Sequence, residues 1–124
     1  MQNRALRCGP TALGTTYSTT LVNSSVTSLA GPTGYTQTQP YVILTHIRIV
    51  NKSSSGAATV SLYIGASGAD AAGTEFAFNA YSVAQNSYVD WYGRVRLEST
   101  DYLTGGGSAA TTLTFQAEGE IGLT

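Results

Sequence analysis

The sequence predicts an all-β protein, an antiparallel β-sandwich of jelly-roll-like form with an extended N-terminal arm. Three observations carry this expectation. Short apolar runs alternate with polar residues at a period of two, and no segment shows a helical period. Seven or eight such runs follow one another at regular spacing, joined by Gly- and Ser-rich turns. Charged residues make up only 10% of the chain, against a usual share of about 25%. Hydroxyls, amides and small side chains must then cover the surface, which suits strands and flat contacts between subunits.

A length of 124 residues fits one domain with one hydrophobic core. Hydrophobic content of 42% excludes wholesale disorder. Residues 1–16 are expected to form the arm, and 17–124 a single sandwich domain. The arm, Met1–Thr16, carries Gly9, Pro10 and Gly14, shows little periodicity and needs a partner surface to order it.

Tyr17–Leu29 alternates weakly and fits an edge strand, and Ala30–Pro40 is a loop with Gly31-Pro32, Gly34 and Pro40. Tyr41–Val50 is the strongest strand. Ile43, Thr45, Ile47 and Ile49 fall on one face; Val42, Leu44, His46 and Arg48 fall on the other. After a turn over Asn51–Ala58, Thr59–Ile64 points Val60, Leu62 and Ile64 inward, and these two runs are expected to form a hairpin. Gly65–Gly73 is a loop of small residues. Thr74–Tyr81, Ser87–Tyr92 and Arg94–Leu97 are further strand candidates, with Val89, Trp91, Val95 and Leu97 inward. Tyr102–Leu103 precedes Gly105-Gly106-Gly107, which is expected to be a flexible turn. Thr111–Ile121 closes the chain, with Leu113 and Phe115 on its core face.

The charge pattern narrows function. With a net charge of −1 and a pI near 5.6, the chain offers no basic field for nucleic acid. Arg4, Arg7, Arg94 and Arg96 form two small pairs, too few for a phosphate-tracking surface. No run has the length of a membrane span, so no membrane partner is expected. Met1–Gly14 lacks the apolar segment of a signal peptide, which points to synthesis in a reducing cytoplasm without export by its own sequence. Cys8 is alone and forms no intrachain disulfide.

Catalysis needs titratable groups that converge, and this chain has few. His46 is the only imidazole, and nothing marks an orienting acid and a nucleophile beside it. Glu118 and Glu120 share a strand face about 7 Å apart by strand rise, a separation also found in glycosidase pairs, but a solvated pair explains them as well. Asp70, Asp90 and Asp101 are too scattered for a calcium loop. The triple glycine has no following Lys or helix, so it fails as a phosphate loop. No catalytic residues, no metal site and no cofactor are expected. The eight tyrosines are the most suggestive group, because a ring with a polar tip suits interfaces. Tyr17, Tyr63, Tyr88 and Tyr92 are the candidate contact residues of the domain; Arg4, Leu6 and Arg7 are those of the arm.

Ile47-Arg48-Ile49-Val50-Asn51, a tip of small residues, and Thr59-Val60-Ser61-Leu62-Tyr63-Ile64-Gly65 resemble a recurrent hairpin in small β-sandwich virion proteins of tailed bacteriophages. Ser82-Val83-Ala84, Leu97 followed by Asp101-Tyr102-Leu103, and the closing Glu118-Gly119-Glu120-Ile121 fit the same pattern, which spans roughly 41–122. The resemblance implies a non-enzymatic structural protein of the virion. Capsid decoration (cement) proteins are one such group: often trimers, they bind the major capsid protein on the capsid exterior and hold the expanded shell. A tail or head–tail component is the rival within that class. A carbohydrate-binding sandwich is an alternative outside it, motivated by the tyrosines and Trp91.

Overall fold

In the computed structural model, which describes residues 3–23, 41–66, 68, 70–98 and 100–122, the alternating runs become eight strands and no helix. They are β1 (Asn3–Ala12), β2 (Thr20–Asn23), β3 (Tyr41–Asn51), β4 (Ala58–Gly65), β5 (Tyr81–Val83), β6 (Ser87–Leu97), β7 (Tyr102–Gly107) and β8 (Leu113–Gly122). One sheet runs β1-β8-β3-β6 and the other β2-β7-β4-β5, every pairing antiparallel. The pairs β1/β8, β2/β7, β3/β6 and β4/β5 nest inside one another. The chain is therefore one long antiparallel ribbon, turned back at β4–β5 and wrapped so that successive segments change sheets. That winding is a jelly roll, and it confirms the fold class read from the sequence.

The core lies between the sheets. Leu44, Ile47 and Ile49 of β3, Val60 and Leu62 of β4, Leu97 of β6, Leu103 of β7 and Leu113 and Phe115 of β8 are fully buried. Each such side chain stabilises the fold by roughly 2 kcal/mol through removal of apolar area from water. Ile64, Val89, Trp91 and Val95 pack against this cluster from its rim. Every residue assigned to the core from its strand parity thus takes its place there.

Four expectations change. Residues 3–12 of the expected arm form strand β1, paired with β8 from Asn3 opposite Gly122 to Ala12 opposite Thr114. The run had looked irregular because Gly9, at a φ of +85°, and Pro10 sit in a register shift between Cys8 and Thr11. Second, β3 and β4 lie in different sheets and form no hairpin. The buried Asn51 side chain holds the connection as an arch: its amide donates to the carbonyls of Gly56 and Val83, and its oxygen accepts from the Ser53 N–H. Third, Gly105, Gly106 and Gly107 are buried strand residues between β2 and β4 rather than a turn. They are glycines because space is lacking: a Cβ on Gly105 would sit 2.6 Å from the Ser61 carbonyl oxygen, and one on Gly106 2.8 Å from that of Gly14. Fourth, only Tyr81–Val83 of the region around Thr74–Tyr81 is a strand, the earlier part meeting β4 by a single bridge between Glu75 and Tyr63. The expected loop Ala30–Pro40 lies outside the described residues. No helix among the described residues is long and apolar enough to cross a membrane.

Candidate functional site

A bulge at Thr45 decides what reaches the outer face of the β1-β8-β3-β6 sheet. Val42 and Leu44 point into the core, and strict alternation would send His46 and Arg48 after them. Between Leu44 and His46 the register shifts against both neighbouring strands. Ile47 and Ile49 then take the inward positions, and His46, Arg48 and Val50 turn outward. The single-face grouping of Ile43 with Ile47 and Ile49 fails for this reason. Gly119 makes the close approach at the bulge feasible, since a Cβ there would overlap the carbonyl oxygen of Ile43.

Past the bulge, register lines up chemistry across the sheet. Arg7, Glu118, His46 and Tyr92 form one row over β1, β8, β3 and β6; Gln116, Arg48 and Asp90 form the next over β8, β3 and β6. His46 Nδ1 lies 3.0 Å from Glu118 Oε1, and Nε2 lies 2.9 Å from Asp90 Oδ1. Both partners are carboxylates, so an imidazole that donates from both nitrogens, the cation, fits the site. Partial burial opposes that charge, but the hydrogen bonds to Asp90 and Glu118 outweigh it, and His46 titrates above its ordinary value. Arg48 grips Asp90 with two hydrogen bonds, Nε to Oδ1 at 2.7 Å and Nη2 to Oδ2 at 3.0 Å. These hydrogen bonds, opposed by burial and reinforced by His46, hold the Asp90 carboxyl down to about 2.

Two aromatic rings cover the cations. Tyr92 stacks on the His46 ring at 4.6 Å with an interplanar angle of 11°. The Arg48 guanidinium lies 4.4 Å from the centre of the Tyr88 ring. Tyr92 is nevertheless 70% exposed and Tyr88 54%, whereas the His46 and Asp90 side chains beneath are only 17% and 14% exposed. Along the same strand Arg96 lies 3.9 Å from the centre of the Tyr41 ring and pairs with Glu98 at 2.5 Å.

The arrangement is chemically quiet. Both His46 nitrogens are engaged, and Asp90 binds its proton too weakly to act as a base near neutral pH. The charges of His46, Arg48, Asp90 and Glu118 cancel. Among the described residues no group of three or more His, Cys, Asp and Glu is arranged to hold a metal ion. What remains is a stiff, charge-balanced plate with two tyrosine rings on top.

The sequence-derived contact residues divide. Tyr88 and Tyr92 stand together on this plate. Arg7 is exposed on the same face, opposite Glu118. Leu6 is a correction: only 6% exposed, it belongs to the core and is closed to any partner. The backbone of Arg4 pairs opposite Ile121, and its side chain lies outside the described residues. Tyr17 is half-buried in a turn, and Tyr63 is half-buried on β4 in the other sheet, so neither joins the plate. Glu118 is tied to His46, while Glu120 sits one rung away opposite Ile43. The network of His46, Arg48, Asp90 and Glu118 was not expected. Its signal was the two-residue spacing of His46 with Arg48 and of Asp90 with Tyr92 on neighbouring strands, which needs the register to be read. Compared with protein families, curated proteins and solved structures, the chain matches none.

Proposed function

We propose that this chain is a non-catalytic structural subunit of a virion, a capsid cement or decoration protein that binds the major capsid protein on the head exterior and stabilises the shell. One observation supports it most: the groups best suited to proton transfer on the outer sheet face are locked to one another beneath two exposed tyrosines. Such a plate has little to offer a reaction and much to offer a partner surface. Rigid rings with polar tips supply contact area at low entropic cost, and charges already paired within the chain leave none uncompensated when a partner covers them. Many copies on one lattice would let modest single contacts sum to firm attachment.

The test is binding to expanded head shells of the phage that encodes the chain, followed by cosedimentation. The parent should saturate the shells, and Tyr88→Ser with Tyr92→Ser should lower occupancy while the thermal midpoint stays nearly unchanged. No binding to shells, with antibody labelling of virion tails instead, would move the protein to the tail or head–tail class. The outer ring face of Tyr92 favours one second reading, a carbohydrate-binding sandwich. Saturable binding on a glycan array, lost in the same double variant, would replace the first reading with this one.

A further inference from the structure

Glu118 stands between two basic side chains on one rung of the outer face. Arg7 of β1 lies directly opposite it on one side, and His46 of β3 on the other. Directly opposed side chains of an antiparallel pair start about 4.5–5.5 Å apart at Cβ, so a carboxylate in the middle can reach either neighbour. Glu118 Oε1 sits 3.0 Å from His46 Nδ1. The Arg7 side chain makes no ion pair among the described residues.

The two carboxylates at His46 are held very differently. Asp90 is only 14% exposed and takes two further hydrogen bonds from Arg48, which keep it in place whatever the charge on the imidazole. Glu118 is 56% exposed, and its carboxylate has His46 as its one partner among the described residues. We infer that Glu118 is a two-position arm, bound to His46 while the imidazole is a cation and to Arg7 once it is neutral, so that loss of one ring proton covers the Arg7 guanidinium.

The neighbours fix which proton leaves. A neutral imidazole has one N–H and one lone pair. A lone pair on Nε2 would face Asp90 Oδ1 at 2.9 Å, and Asp90 is tied to Arg48. The proton therefore leaves Nδ1 for water. The new lone pair meets Glu118 Oε1, two acceptors with no hydrogen between them, and the exposed carboxylate turns to the guanidinium on its other side. An exposed ion pair gains little, but here it has only to outweigh a contact that has become repulsive. Asp90 and Glu118 favour the His46 cation, whereas Arg48 on β3 and Arg94 on β6 oppose it. Tyr92 covers the ring, Tyr88 lies on Arg48, Gln116 of β8 is uncharged, and Glu120 sits one rung away opposite Ala5 and Ile43. The balance raises His46 above its ordinary 6.5. On the docking reading of the plate, on which this consequence rests, a partner meets a free guanidinium in acid and a paired one in alkali. The arm itself belongs to the isolated chain.

Side-chain NMR of the full chain from about pH 5 to about pH 9 tests the arm without any partner, so its outcome is separate from that of shell binding. His46 is the single imidazole and gives one set of ring signals. Both ring nitrogens should carry protons at low pH and Nε2 alone at high pH. The Glu118 carboxyl carbon and the Arg7 guanidinium nitrogens should shift with the same midpoint. Glu118→Gln should move the His46 midpoint to lower pH and leave Arg7 unresponsive. Arg7→Gln, which leaves Glu118 no second partner, should move the midpoint to higher pH, and by more than Arg94→Gln does. Plain charge repulsion gives the opposite order, because Arg7 starts two strands from His46, roughly 10 Å, and Arg94 is on the adjacent strand. Circular dichroism of the variants should match the parent. An Arg7 signal that ignores the His46 titration, a proton kept on Nδ1 at high pH, or a larger effect from Arg94→Gln would each overturn the inference.

Discussion

Replacing Asp90 by Asn removes the carboxylate that holds both cations of the outer face. Its fall from 3.8 to about 2 in the folded chain corresponds to about 2.5 kcal/mol at roughly 1.4 kcal/mol per tenfold change in acidity. Water reaches the open side of Arg48, and screening there reduces the expected loss to about 1–2 kcal/mol. The pH dependence carries the sharper test. Asp90 is depressed on folding, so its contribution is complete above 3.8 and disappears as pH falls through about 2. His46 is raised on folding, so its contribution is complete below 6.5 and disappears as pH rises through its folded value. The network is therefore strongest between 3.8 and 6.5. Urea unfolding should show Asp90→Asn losing about 0.5–1 M in midpoint at pH 5, given a slope of roughly 2 kcal/mol per molar. At pH 2 the gap should shrink. On the alkaline side the variant should decline less steeply than the parent, because its His46 retains one carboxylate rather than two. An equal deficit at every pH, or none at pH 5, would refute the claim that these charges stabilise the fold as a unit.

Two further outcomes follow from burial. Leu6→Asp places an unpaired carboxylate in the core and should cost about 3–5 kcal/mol, whereas Ala5→Asp on the exposed face should stay within about 0.5 kcal/mol; similar thermal midpoints for the two would show that residues 3–12 do not form strand β1. Burial pushes the Cys8 thiol up to about 11, so its reaction with a thiol reagent at pH 8 should be at least about a hundredfold slower in the folded chain than in urea. A thiol that reacts at the same rate in both would contradict its buried place on β1.

Much of the fold was legible because alternation records burial directly. Val60, Leu62, Leu97, Leu113 and Phe115 declare their side by parity alone, and their strands are regular. Where regularity breaks, parity misleads. The bulge at Thr45 exchanges the faces of β3, and no local residue announces it; the necessity sits 74 positions away at Gly119, whose missing side chain admits the Ile43 carbonyl. Gly105, Gly106 and Gly107 carried the composition of a turn, but their cause is steric pressure from Ser61, Leu62, Gly14 and Leu113, visible only once β4, β8 and the segment after β1 are packed beside them. The outer-face network stayed hidden for the same reason. His46, Asp90 and Glu118 lie on three strands far apart in sequence, and only the register of β3 with β6 and β8 makes them neighbours. Tyr88 and Tyr92 were found because exposure of alternate aromatic residues is a local property.

The nested ribbon also sets how the chain must fold. Among the described residues only β4 and β5 meet as consecutive strands; β3 with β6, β2 with β7 and β1 with β8 each close a longer loop than the pair before. Loop-closure entropy rises at each step, so order grows outward from the β4–β5 turn, and the millisecond-to-second range of non-local β proteins is the expected folding time. Strand β1 docks last on this route. Until it does, Leu6 and Cys8 are uncovered and β8 offers an open edge, leaving the nascent sandwich briefly exposed to pairing with another chain.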